Sequence, residues 1–190
     1  MTRTTIQPSH VAILVPSVRK AADYLRQFNF EIGKEEEWAG EGTREIYVEC
    51  NKSNSLLLME PIKAGAYQRA MEKRGPGIHH LAIDVLNLEN YIESLIGSGW
   101  FLHPISIKTM KRSQTAYLSR GGFPALIEVQ GRELLTQRQT FVKEVSISMN
   151  PDLFKLVKYI GFEDIVKLSS EPPKLSLDGQ NVELKALFLS

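Results

Sequence analysis

Between residues 9 and 131 the chain runs twice through the same order of hydrophobic patterns. In the first pass, Ser9-His10-Val11-Ala12-Ile13-Leu14-Val15 is a short apolar stretch that predicts a strand, ended by Pro16-Ser17. Val18, Ala21, Ala22, Leu25 and Phe28 then recur at helical spacing and predict a helix from Ser17 to Phe28. Phe30 to Gly33 begins a second strand, and Ala39-Gly40-Glu41-Gly42 reads as a loop. Arg44 to Cys50 alternates polar with apolar residues as a strand does, Asn51 to Asn54 is a turn, and Ser55 to Glu60 is a strand closed by Pro61. A short helix over Tyr67 to Lys73 and the breaker Arg74-Gly75-Pro76-Gly77 connect this unit to the next.

The second pass starts at Gly77-Ile78-His79-His80-Leu81-Ala82-Ile83-Asp84-Val85 and predicts a strand from His80 to Val85. A helix over Leu88 to Ile96 follows, stopped by Gly97-Ser98-Gly99, then strands at Trp100 to Leu102, Thr115 to Ser119 and Ala125 to Gln130. The matching intervals from His10 to Phe30 and from His80 to Trp100 point to an internal duplication. A weaker third copy is predicted beyond Gly131: a strand over Glu144 to Met149, a helix over Pro151 to Ile160 and a last strand over Val182 to Leu189. Glu144 stands there where the other copies carry histidine. The expected class is α+β, with paired βαβββ units at about 9–61 and 79–131 in a domain of residues 1–131. Residues 132–190 form a linker and a third, partial βαβββ-like unit. An unpaired unit leaves a sheet edge and apolar surface in water, so it is expected to pack on the outside of the paired units or to join its copy in a homodimer.

Composition narrows the function. The chain has 190 residues, 43% of them hydrophobic, enough for a sizeable core. A net charge of +1 provides no electrostatic footprint for nucleic acid. No stretch is long and apolar enough to span a bilayer, and Met1-Thr2-Arg3-Thr4-Thr5 lacks the apolar core of a secretion signal, so the expected location is cytoplasmic. Cys50 is the single cysteine, which excludes an internal disulfide. Asn51-Lys52-Ser53 has the form of a glycosylation acceptor, read as chance without an export signal.

The candidate chemistry lies in the repeated histidines. Alternation along a strand puts His80, Ala82 and Asp84 on one face, as it does His10, Ala12 and Leu14. Two imidazoles on equivalent strands can bring two metal ligands together. His79 is expected to face away from His80, and His103 to lie on the surface. Lys63, Lys73, Arg74, Lys108, Lys111 and Arg112 could hold phosphates but read as a solvated basic face.

Duplicated βαβββ units with His10 and His80 at matched strand starts resemble the vicinal oxygen chelate superfamily. Within it, Leu58-Met59-Glu60-Pro61, Lys73-Arg74-Gly75-Pro76-Gly77-Ile78-His79-His80 and Ala125-Leu126-Ile127-Glu128-Val129 are most similar to methylmalonyl-CoA epimerases. The resemblance covers about residues 9–131. It implies a cup with a divalent metal on its floor, held by His10, His80 and Glu128, a carboxylate that is costly to bury among Leu126, Ile127 and Val129 without a cation or donors. Two positions depart from the epimerase pattern: the fourth ligand falls on Leu57, and the catalytic glutamate falls on Gly40, beside Glu41. Glu41, Glu45 and Glu49 are the remaining candidates for a base, with Glu45 and Glu49 expected on the strand face of Tyr47.

Two imidazoles and a carboxylate suit Co, Zn, Mn, Ni or Fe as the divalent ion, leave up to about three positions open, and favour a small anionic chelating substrate. Three functions are consistent with this. The first is an isomerase that moves an α-proton through a metal-stabilised enolate of a methylmalonyl-CoA-like thioester or keto acid. The second is an Fe(II)-dependent dioxygenase with a two-His, one-Glu face, for which a leucine in the fourth position is no obstacle. The third is a non-catalytic small-molecule binding protein.

Overall fold

The computed structural model describes residues 5–136 and 138–189. The first unit comprises strand β1 (Ile6–Leu14), helix α1 (Val18–Arg26) and strands β2 (Ile32–Trp38), β3 (Thr43–Val48) and β4 (Ser55–Pro61). Helix α2 (Ala66–Arg74) leads into the second unit, β5 (Gly77–Val85), α3 (Leu88–Ser94) and β6 (Phe101–Leu102), then α4 (Ser106–Ser113), β7 (Thr115–Ser119) and β8 (Leu126–Gly131). The third contains β9 (Val142–Ile147), α5 (Pro151–Phe154), a 3-10 turn at Val157–Ile160, β10 (Val166–Leu168), β11 (Lys174–Leu177), β12 (Gln180–Glu183) and α6 (Ala186–Leu189). The α+β class and the paired βαβββ units are as the hydrophobic pattern predicts.

The two units share one eight-stranded mixed sheet in the order β2-β3-β4-β1-β5-β8-β7-β6. Within each unit the first strand lies parallel to the last, β1 beside β4 and β5 beside β8. The units are joined by antiparallel pairing of β1 with β5, in which His10 faces Ala82, Val11 faces Leu81 and Ala12 faces His80. The register slips once on each side of that centre, leaving Ser9 as the extra residue on β1 and His79 as the extra residue on β5. Each histidine of interest is thus preceded by a β-bulge, a place where two successive side chains can turn to one face.

Side-chain alternation sorts the sheet into two faces. Val11, Ile13, Leu81, Ile83 and Val85 join α1 and α3 in the main core, while Ala12, Leu14, Leu57 and Met59 form a separate apolar cluster on the cup side. Tyr67, Ala70 and Met71 of α2 pack on that second cluster, so α2 fills one half of the cup.

The third unit packs against the convex side of the paired units. Phe141, Val145, Phe162 and Leu175 belong to the same core as Val11 and Leu81. Trp100 Nε1 donates to the Leu156 carbonyl (3.1 Å), and the Tyr91 hydroxyl to that of Tyr159 (3.0 Å). Its elements follow the βαβββ order, but its sheet runs β10-β9-β11-β12. β9 is therefore parallel to the strand directly after its helix, where β1 and β5 are parallel to the last strand of their units.

Three local expectations are corrected. The helix predicted over Pro151 to Ile160 is split into α5 and the 3-10 turn, ended by Gly161 at φ +68°. The strand predicted over Val182 to Leu189 ends at Glu183 and gives way to α6, because Asp178 and Gly179, both at positive φ, fold β11 and β12 into a tight hairpin. Helix α4, carrying Ile107 and Met110, is an element the pattern did not predict. No helix among the described residues is long and apolar enough to cross a membrane.

A shared core predicts shared stability. Phe162→Ala, in the third unit, should cost about 3–5 kcal/mol and should lower the unfolding midpoint of the whole chain in one transition, followed by tryptophan fluorescence and far-ultraviolet dichroism together. Two separated transitions would contradict the single core.

Candidate metal centre

The floor of the cup is built from three strands. β1 supplies His10, β5 supplies His80, and Glu128 stands on β8 opposite Ala82. One ligand atom from each of the three lies within 4.8 Å of those from the others, and all three residues are buried. His80 Nε2 is 3.0 Å from His10 Nε2 and 3.4 Å from Glu128 Oε2. The other carboxylate oxygen, Oε1, accepts from Gln130 Nε2 at 2.5 Å. Gln130 in turn accepts from Arg132, whose Nε donates to Asp84 Oδ1 at 2.9 Å. Glu128 and Gln130 share one face of β8 and Arg132, just past its end, continues the same period of two, a signal that the sequence carries.

Burial governs the electrostatics. It pushes the His10 imidazole down to about 3, with His80 beside it adding to the effect, and pushes His80 itself to about 3. Burial raises the Glu128 carboxyl, partly offset by the neighbouring His10. Both imidazoles are therefore neutral with lone pairs to give, and no buried lysine or arginine among the described residues balances the carboxylate. That donor set fits a divalent ion. Leu57, beside Ala12 on the cup face, is 3% exposed and offers no fourth donor.

The structure places the other singled-out residues as follows. Glu45 is on the cup face of β3, its Oε1 accepting from Thr43 Oγ1 at 2.7 Å, and burial lifts its carboxyl to about 7. Gly40 is in the loop before β3, and Glu41 next to it accepts from the Tyr67 hydroxyl of α2 at 2.9 Å. Glu49 is not on the face of Glu45 and Tyr47: the strand ends at Val48, Glu49 has φ +56°, and its carboxylate accepts from the Glu31 amide and pairs with Lys52. His79 does not point away from His80; the bulge brings its ring onto the cup side, 8% exposed, with Nδ1 2.9 Å from His80 Nδ1. His103 lies past β6, where its Nδ1 accepts from the Ile105 amide at 3.4 Å.

Beside His10 a cavity of about 450 Å³ opens, lined by Ser9, Tyr47, Ser53, Arg132, Thr136 and Arg138 among others. It occupies the half of the cup that α2 leaves open, and Arg132, Leu134, Thr136 and Arg138, between β8 and the third unit, form part of its wall. Lys63, Lys73, Arg74, Lys108, Lys111 and Arg112 are not among its lining residues. Of the cations that are, Lys52 pairs with Asp178 and Arg132 with Asp84.

Among solved structures, a hypothetical protein from Bacillus halodurans C-125 is 22% identical and superimposes with a TM-score of 0.59 over 70% of this chain and 99% of its own. Methylmalonyl-CoA epimerase from Mycobacterium tuberculosis is 21% identical, with a TM-score of 0.55 over 70% of this chain and 93% of its own. The fold is that of the vicinal oxygen chelate superfamily. A methylmalonyl-CoA epimerase in complex with methylmalonyl-CoA and NH4+ is also similar, at 17% identity and a TM-score of 0.54 over 67% of this chain and 96% of its own. No protein-family model matches the chain, and no curated protein does. Likeness to the superfamily at these identities is likeness of fold.

A test of the donor set follows from Leu57. Glu128→Ala should remove binding of Zn(II) by the metal-free protein, whereas Leu57→Glu, which adds a fourth donor to the same face, should tighten it. Calorimetric titration reads both, and unchanged affinity in Glu128→Ala would contradict the assignment.

Proposed function

We propose that the chain is a metal-dependent enzyme of the vicinal oxygen chelate type that transfers an α-proton on a chelating carbonyl substrate, a methylmalonyl-CoA-like thioester or a keto acid. The observation that carries this reading is the convergence of His10, His80 and Glu128 on a cup that also holds Glu45, a buried carboxyl shifted to about 7. A divalent ion held by the three would supply positive charge to the substrate oxygens and make the α-proton easier to remove.

The chain's own residues do the rest. Glu45, as carboxylate, takes the α-proton from one face and Glu41 delivers a proton to the other, and a base shifted to about 7 is both deprotonated and strong enough near neutrality. Thr43 orients it by donating to Oε1. Glu41, held by the Tyr67 hydroxyl, is the second carboxyl that inversion at carbon requires. Tyr47 packs T-shaped against His10 at 5.6 Å between ring centroids, which helps to hold the imidazole in place. The basic, polar cavity beside His10 offers an anionic substrate an approach to the ion from one side, while Glu45, opposite Met59, and Glu41, on the Tyr67 hydroxyl, stand on the α2 side of the floor. Methylmalonyl-CoA epimerases among the structural neighbours support this reading of the substrate class.

A second reading, an Fe(II)-dependent dioxygenase, is favoured by Leu57, which leaves a face of two histidines and one glutamate. Oxygen uptake with a catechol by Fe(II)-loaded protein, lost with Zn(II), would select it.

The first reading is checked by deuterium exchange at the α-carbon of methylmalonyl-CoA and of 2-oxobutyrate, with Zn(II)- and Co(II)-loaded protein. Exchange should rise with pH through about 7 as Glu45 loses its proton, and Glu45→Gln should slow it by about 10²–10⁴-fold while leaving metal affinity unchanged. Exchange indifferent to Glu45→Gln would remove Glu45 as the base.

A further inference from the structure

We infer that His79 is a positioning residue for the metal centre: its Nδ1 accepts the Nδ1 proton of His80 and so fixes the tautomer and the direction in which His80 presents Nε2. The inference rests on the reading that His10, His80 and Glu128 hold a divalent ion. His80 turns Nε2 toward His10 and Glu128 and turns Nδ1 toward His79 Nδ1, 2.9 Å away. A neutral imidazole that gives the Nε2 lone pair to an ion carries its proton on Nδ1. His79 Nδ1 is the group that faces that proton, so it is the acceptor, and the proton of His79 sits on its own Nε2.

The backbone is arranged for this contact. Without the bulge, neighbouring residues on β5 would point to opposite faces; with it, both rings stand on the cup side at 5.2 Å between centroids and 79° between planes. The Tyr67 ring of α2 lies against His79 at 4.9 Å, held there by its hydroxyl on Glu41. The matching bulge on β1 carries Ser9 before His10, so the ring-to-ring support belongs to the second unit. Partners of this kind orient a metal-bound histidine and raise its basicity. A neutral imidazole does so without adding a negative charge, leaving the ion more strongly polarising than a carboxylate in the same place would.

Zn(II) titrated into the metal-free chain by calorimetry provides the test. His79→Phe keeps a ring against Tyr67 and removes the acceptor, while His79→Asn places a side-chain oxygen about where Nδ1 stands. Affinity should fall by about 10–100-fold in His79→Phe and recover most of the way in His79→Asn. The visible ligand-field bands of the Co(II)-loaded protein should shift and return in the same order. Long-range proton–nitrogen NMR spectra of the Zn(II)-loaded wild-type chain, which need no variant, should show His80 protonated on Nδ1 and His79 on Nε2. Wild-type affinity in His79→Phe, no recovery in His79→Asn, or a proton on His79 Nδ1 would overturn the role of His79 alone. A wild-type chain that takes up no Zn(II) would overturn the metal centre itself, and this role with it.

Discussion

The antiparallel pairing of β1 with β5 is the constraint on which the molecule depends. It closes two four-stranded units into one sheet and, with Ala12 opposite His80 and His10 opposite Ala82, sets the two imidazoles one step apart across the seam. A slip of one residue would send one histidine into the main core with Val11 and Leu81. The parallel pairing of β5 with β8 then adds Glu128 to the same floor. A buried group of two neutral imidazoles and a carboxyl raised by burial is costly as it stands, and a divalent ion is the simplest group that would offset the cost.

Around that floor the cup is divided. The apolar cluster of Leu14, Leu57 and Met59 under α2 fills one half, and Leu57 takes part in that packing at the position where a fourth ligand would stand. The other half stays polar and open, and the segment leading to the third unit helps to wall it. The third unit covers the convex face and is tied to the turn before β4, where the Asn54 side chain donates to the Val142 carbonyl at 2.6 Å. One added module thus stabilises the outside of the sheet while its tether shapes the inside of the cup.

Much of this was legible in the sequence because it is periodic. The duplicated order of strand and helix and the shared face of His10 and Ala12 follow from spacing alone. What escaped are the places where period fails. The bulge at His79 reverses its side chain, and the positive φ at Glu49 takes that carboxylate off its expected face. α4 is a short helix wedged between two strands, with Ser106 and Thr109 bonded to carbonyls of β7, contacts that only the folded sheet supplies. Asp178-Gly179 is a hairpin signal, and the apolar run after it is longer than the strand that the hairpin pairs. The exchanged strand order of the third unit is a matter of pairing between distant segments, which hydrophobic alternation does not encode.

The central claim is that His10, His80 and Glu128 grip one ion. X-ray absorption on the Zn(II)-loaded chain examines it directly, since imidazole rings give a distinct outer-shell scattering pattern. The account predicts two imidazoles with nitrogen and oxygen ligands at about 2.0–2.2 Å and no sulfur. A zinc–sulfur distance of about 2.3 Å, bringing in Cys50, or a spectrum without imidazole would contradict it.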